Sequence, residues 1–162
     1  MRGVFTVPFD QQTILAASGD YDLFEIIPAT DRPVEIVAIF IGNKSEVGDA
    51  AEEMVAWSIE RFSGGTYTPG NGTAATEVET AHTDGTPSFA AKTVGSTVAT
   101  TTGTKKQLHA DTFNIRTGLQ LIIPPDIRCE CGGAANSAIV VRLLTALLDD
   151  AVLSGTLYVR EL

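Results

Sequence analysis

Lysine is scarce in this chain. Among 162 residues and 11 basic side chains, only Lys44, Lys92, Lys105 and Lys106 are lysines, against 20 acidic residues, and the formal net charge is −9. A surface that grips phosphate needs clustered Lys and Arg, so this balance argues against a nucleic-acid partner. Cysteine is rarer still. Cys129 and Cys131 are the only two, and a bridge between residues so close in sequence is strained. Two thiols without a second ligand pair do not make a zinc site. They read as reduced, small apolar residues. No stretch approaches the ~18 continuous apolar residues of a membrane-spanning helix. The opening MRGVFTVPFDQQ has no apolar run of signal-peptide length. The expectation is a chain made in a cytosol, with no membrane partner.

Gly, Thr, Ala and Val are plentiful, a mix suited to strands and tight turns. The chain is organised around its last third, Gly118 to Leu162, where apolar runs are parted by Pro124-Pro125, Gly132-Gly133 and Asp149-Asp150. In the final run Leu153, Gly155, Leu157 and Val159 share one face and Ser154, Thr156, Tyr158 and Arg160 the other. A period of two marks a half-buried strand. The dense segment Ala138 to Leu148 reads as its antiparallel partner at the centre of an all-β domain. A helical stripe through Ile139, Val140, Leu143, Leu144, Leu147 and Leu148 is the alternative there.

Earlier strands are expected at Tyr21–Ile27, closed by Pro28, and at Val34–Ile41, after the turn at Asp31-Arg32-Pro33. Residues 1–9 alternate around Pro8 and suit an edge strand, within a possible N-terminal arm over 1–19. Glu46–Glu53 is a helical turn or a wide loop. Met54–Phe62 alternates as a strand, with a helix as the alternative. Ser63 to Lys106 is polar and rich in Gly, Thr and Ala. It reads as long loops with short strands near Glu77–Glu79 and Thr97–Thr101. A loop region of that length inside one domain is usually functional, here as a contact with a neighbouring subunit. Leu108–Arg116 and Leu119–Ile123 read as a hairpin. Eight to ten strands at short spacing, no internal repeat and little helix predict a single-domain β-sandwich over residues 1–162, jelly-roll-like, with long Gly/Thr/Ala-rich loops and a loop-rich insertion at 63–106.

Candidate chemistry is sparse. His82 is followed by Asp84, and His109 by Asp111; both histidines read as solvated or interface groups. Glu46, Asp49, Glu52 and Glu53 lack the spacing and glycine of a calcium loop. Gly64-Gly65 and Gly70-Asn71-Gly72 lack the Lys-Ser/Thr that a phosphate loop requires. No Gly-x-Ser-x-Gly elbow occurs. No nucleophile, base and orienter can be assembled, so no catalytic, cofactor or metal residue is assigned and no enzyme activity is expected. Trp57 is a core or subunit-interface residue, with sugar stacking as its alternative.

Four segments carry a resemblance: Gly64-Gly65-Thr66, Gly72-Thr73-Ala74-Ala75-Thr76-Glu77-Val78, Leu108 to Gly118, and Leu153 to Leu162. Their pattern resembles small virion proteins of tailed bacteriophages and related prophages, over about two thirds of the chain. The resemblance implies a jelly-roll-like virion component, a decoration or cement protein on the head, and it brings no functional residues with it. Closed symmetric oligomers cover sheet edges and apolar patches. A homo-oligomer is therefore expected, a trimer favoured, with Phe5, Phe9, Trp57, Tyr67 and Phe89 as subunit-interface residues and a shell protein as the other partner. Two readings stand beside it: a jelly-roll capsid or tail/fibre protein, and a carbohydrate-binding β-sandwich using Trp57, Tyr67 and nearby carboxylates.

Overall fold

The alternation at the C-terminus becomes a strand whose residues are buried and half-exposed in strict turn from Ala151 to Glu161. It is the last of a series in a computed structural model that describes residues 3–45, 53–81 and 85–162. Among these residues the strands run in order β1 (Val4–Ile14), β2 (Tyr21–Ile27), β3 (Val34–Asn43) and β4 (Met54–Ser63). Five short ones follow: β5 (Tyr67–Thr68), β6 (Thr73–Ala74), β7 (Val78–Glu79), β8 (Ala90–Gly95) and β9 (Thr100–Thr101). The chain ends with β10 (Thr104–Asn114), β11 (Leu119–Ile122), β12 (Glu130–Cys131), β13 (Ala138–Leu143) and β14 (Ala151–Glu161).

Pairing is nested. β1 pairs with β14, β2 with β13, β3 with β11 and β4 with β10, all antiparallel. The chain is thus one long hairpin, its first half laid against its second. Rolling that ribbon adds the pairs β3–β14 and β4–β13. Two sheets result, ordered β11-β3-β14-β1-β7, with β12 beside β3, and β10-β4-β13-β2-β8-β6. Eight framework strands in two facing sheets with this nested order form a jelly roll. Val7, Ile39 and Leu157 of the first sheet meet Leu23, Ile59 and Val141 of the second in one core, all at most 1% exposed. A fully buried side chain of this kind contributes roughly 1.5–3 kcal/mol.

Both apolar runs of the C-terminal third are central strands, but they do not pair with each other. β14 lies between β3 and β1 in the first sheet, and β13 between β4 and β2 in the second. The same correction applies to the hairpin expected from Leu108–Arg116 and Leu119–Ile123, because β10 and β11 also belong to opposite sheets. The reason is reach. Facing sheets lie ~10 Å apart, and even a four-residue link extends to roughly 13 Å. The expected N-terminal arm is a full strand, with Phe5, Val7 and Phe9 in the core and β14 hydrogen-bonded alongside. Pro8 is tolerated because β7 pairs only with Phe5 and Thr6, so β1 is a sheet edge beyond that point. Met54–Phe62 is strand, and the Ala138 run is strand only as far as Leu143. The turn or loop expected at 46–53 falls mostly outside the described residues.

Gly118 sits in the link that carries the chain from the second sheet to the first. Its φ is +71°, and a Cβ there would lie 2.2 Å from the Ile41 carbonyl oxygen. Gly42, by contrast, has open space where a Cβ would stand, with nothing within 4 Å, and no positive φ. Gly118→Ala is expected to lower the unfolding free energy by about 2–4 kcal/mol. Gly42→Ala should stay within about 0.5 kcal/mol. Urea midpoints check both, and equal midpoints would refute this account of the crossing.

Candidate interaction surface

The two sheets have outer faces of opposite kinds. On the second sheet, Asp22 and Glu25 of β2, Ser58, Glu60 and Phe62 of β4, and Ala138, Val140 and Arg142 of β13 lie side by side in register. All eight are buried, because the long connection between β4 and β10 folds over them. Phe62, Ala99, Ala138 and Val140 form a second small apolar cluster there, with Ile27 and Tyr67 against it.

Charge fastens the connection down. Arg142 donates through Nε to Asp22 Oδ1 at 2.5 Å and through Nη2 to Asp22 Oδ2 at 3.1 Å. Nη2 also reaches the Ala99 carbonyl at 2.8 Å, while the Ala99 N–H donates to Asp22 Oδ2 at 2.6 Å. Nη1 lies 3.0 Å from Glu60 Oε2. The guanidinium carbon sits 5.7 Å from the centre of the Phe62 ring. Glu25 is a second fastening. It accepts from the Tyr67 hydroxyl at 2.5 Å and from the Gly70 N–H at 3.1 Å, and Lys92 Nζ donates to the Gly70 carbonyl at 2.8 Å. The expected subunit-contact loops of 63–106 are therefore folded in large part against their own sheet.

Among the described residues, no such cover lies over the first sheet's outer face. Its rows run straight across the strands: Thr6, Tyr158, Ala38 and Ile122 in one, Pro8, Thr156, Phe40 and Gln120 in the next. Phe40 and Tyr158 are half-buried and meet edge to face at 5.8 Å, and Ile122 is 71% exposed. A shallow hollow of about 450 Å³ crosses the face beside Pro8, Phe40, Gln120 and Thr156. No charged residue stands in these two rows. Charges lie at the ends: Glu35 takes Arg160 at 3.0 Å and Arg128 at 2.7 Å, and Asp10 accepts from the Ser154 hydroxyl at 2.7 Å.

The residues expected at a subunit interface go elsewhere. Phe5, Phe9, Trp57 and Phe89 are all at most 6% exposed and belong to the core. Phe5 packs on Phe89 at 5.8 Å and Phe9 on Phe24 at 5.2 Å. Trp57, wholly buried beside His109 at 5.0 Å, offers no ring face to a sugar. Tyr67 is half-buried on the Glu25 fastening. His82, Asp84, Glu46, Asp49 and Glu52 lie outside the described residues; Glu53 accepts from the Leu148 N–H at 2.8 Å. Among the described residues no group of three or more His, Cys, Asp or Glu is placed to hold a metal ion. None of their helices is long and apolar enough to cross a membrane. Burial pushes both thiols up, Cys131 to about 11. Arg142, Asp22 and Glu25 were findable: each is a charge inside an apolar run, AIVVRLL or YDLFEII, and a buried charge demands a partner. Comparison with family models, curated proteins and solved structures finds no match to this chain.

Two outcomes follow from the fastenings. Asp22→Ala leaves Arg142 buried without its fork and is expected to cost about 3–5 kcal/mol. It should also raise amide hydrogen exchange at Ala99 well above that in β14. Unchanged exchange at Ala99 would show that the ion pair does not hold the connection. The second outcome concerns pH. Burial holds the Glu25 carboxyl above the usual carboxylate range, outweighing the Tyr67 and Gly70 donors. The folded state therefore binds this proton more readily than the unfolded chain. Its contribution is largest below the unfolded value and is lost as pH rises through the folded one. From about pH 7 to about pH 5 the stability difference between wild type and Glu25→Gln should move in favour of wild type. A movement the other way in urea titrations would mean that the donors outweigh burial.

Proposed function

We propose that this chain is a structural protein of a bacteriophage particle, a capsid decoration or cement protein that binds and stabilises the head shell through subunit contacts. The observation that carries this reading is the inequality of the two faces. A domain that seals one sheet with its own connection, and leaves the other flat and uncharged across its middle, is built to be stacked on something. Obligate interfaces favour uncharged, aromatic-bearing centres with a polar rim, and the Phe40–Tyr158 pair ringed by Thr6, Thr156 and Gln120 has that composition. The jelly roll and the resemblance of its segments to small virion proteins support the same reading. So does the net charge of −9, which keeps free copies soluble and directs them toward protein rather than the packaged nucleic acid. The partners are further copies of itself in a symmetric assembly, a trimer favoured, and the shell protein.

Co-sedimentation with heads assembled from the shell protein of the same genome tests the proposal. Wild type is expected to travel with the heads and to raise their temperature of disruption. Tyr158→Asp, placed on the open face, should keep the fold by circular dichroism and weaken binding by about 10-fold or more. Wild type left in the supernatant would sink the proposal. Equal binding by Tyr158→Asp would remove the first sheet's face from it.

A further inference from the structure

The two long sides of the sandwich carry short clusters of opposite charge, with exposed Asp111 farther along the strand that bears the basic one. On one side the second sheet ends at β10 and the first at β11. Lys105 and Lys106 are exposed near the start of β10. Lys105 lies 3.4 Å from Glu60, and Lys106 has no partner among the described residues. Beside them, between the sheet edges, opens a cleft of about 250 Å³ walled by Leu108, Leu121, Ile123, Pro124 and Ile127. On the opposite side the chain passes from β6, the last strand of the second sheet, to β7, the last strand of the first. Glu77 ends that passage, and β7 itself is Val78, 46% exposed, followed by Glu79. Among the described residues, no strand pairs with the free edge of β7 or of β10.

We propose that copies of this chain associate head to tail, the Lys105–Lys106 side of one against the Glu77–Glu79 side of the next. The proposal deepens the reading of the chain as a self-assembling virion subunit and rests on it. Like sides repel. Lysines on an edge strand block its pairing with an identical edge, and two acidic passages do the same to each other. Between copies that each carry a net charge of −9, a basic side is where a second acidic surface is attracted rather than repelled. The apolar parts agree with the charges. Val78 on one side and the cleft rimmed by Ile127, 69% exposed, on the other each leave an apolar surface in water that a neighbour would cover. A contact between two different patches of one chain is heterologous, and it closes into a ring when the rotation per step divides a full turn. A trimer is one such ring.

The test is a charge swap read by light scattering across concentration and salt. Lys106→Glu is used rather than Lys105→Glu, because Lys105 also faces buried Glu60. Wild type is expected to form a discrete multiple of the monomer mass, weakened by added salt. Lys106→Glu and Glu79→Lys should each raise the dissociation constant about 10-fold at low salt while keeping the wild-type thermal midpoint. The double variant, which reverses both sides, should associate again. A wild type that stays monomeric at all concentrations would overturn the proposal. So would single variants that associate as wild type does, or a folded double variant that does not recover. Failure of the virion reading looks different: self-association persists and head binding is absent.

Discussion

Arg142 joins parts of the chain that are far apart in sequence. Its fork takes both oxygens of Asp22, 120 residues earlier, and the carbonyl of Ala99, 43 residues earlier. Its remaining nitrogen faces Glu60. β2, β13 and β4 thereby meet at one guanidinium on the outside of the second sheet. A charge in that position is costly unless every donor is used, and here the long connection supplies what the strands lack. The Ala99 peptide satisfies Arg142 with its carbonyl and Asp22 with its N–H. Neither the ion group nor the folded connection is tenable alone. The strands place the charges, and the connection removes them from water.

That dependence explains why the polar middle of the chain holds its shape although it has few large side chains. Its short strands offer little apolar area, and the small cluster around Phe62 and Val140 is modest beside the main core. Tyr67 and Gly70 on Glu25, and Ala99 on Asp22, give it fixed points at both ends. A hydrogen bond inside a protein is worth roughly 0.5–1.5 kcal/mol net, so a few of them supplement the small apolar cluster that the composition builds. The same fixing commits one face of the sandwich. Whatever approaches from that side meets the outside of the connection, not the strands beneath it.

Much of the architecture was legible in the residues, and what was not has a common cause. β14 is plain because burial on one face prints a period of two, and β2 and β3 because they are β-prone apolar runs bounded by Pro28 and Pro33. The partners of those strands are not plain. Adjacent apolar runs invite a hairpin, and in a jelly roll the adjacent runs are the ones that cross between sheets. Ala138–Leu143 and Ala151–Glu161 are such a pair. Nothing local distinguishes a link that turns back from one that crosses. The aromatic residues misled for a related reason. Phe5 and Phe9 flank a proline and look like an arm; in the rolled chain they face Val159 and Gly155 inside the sandwich. The fastening charges were visible as anomalies in apolar runs, but their meaning required knowing that β2 lies beside β13.

Gly155 shows how closely the sheets are drawn together there. A Cβ at this position would lie 2.7 Å from the Phe9 ring and 3.2 Å from the Phe24 ring. Those two rings pack on each other across the core at 5.2 Å, so the glycine in the middle of β14 is the space they occupy. The strand most regular in its alternation therefore contains one inward position with no side chain, filled from its neighbours. On the outward side of the same stretch stand Ser154 and Thr156, at the margin of the hollow on the open face. The bare face and the tight core are two sides of one strand. A change that thickens the core at Gly155 pushes β14 outward, into the open face of the first sheet.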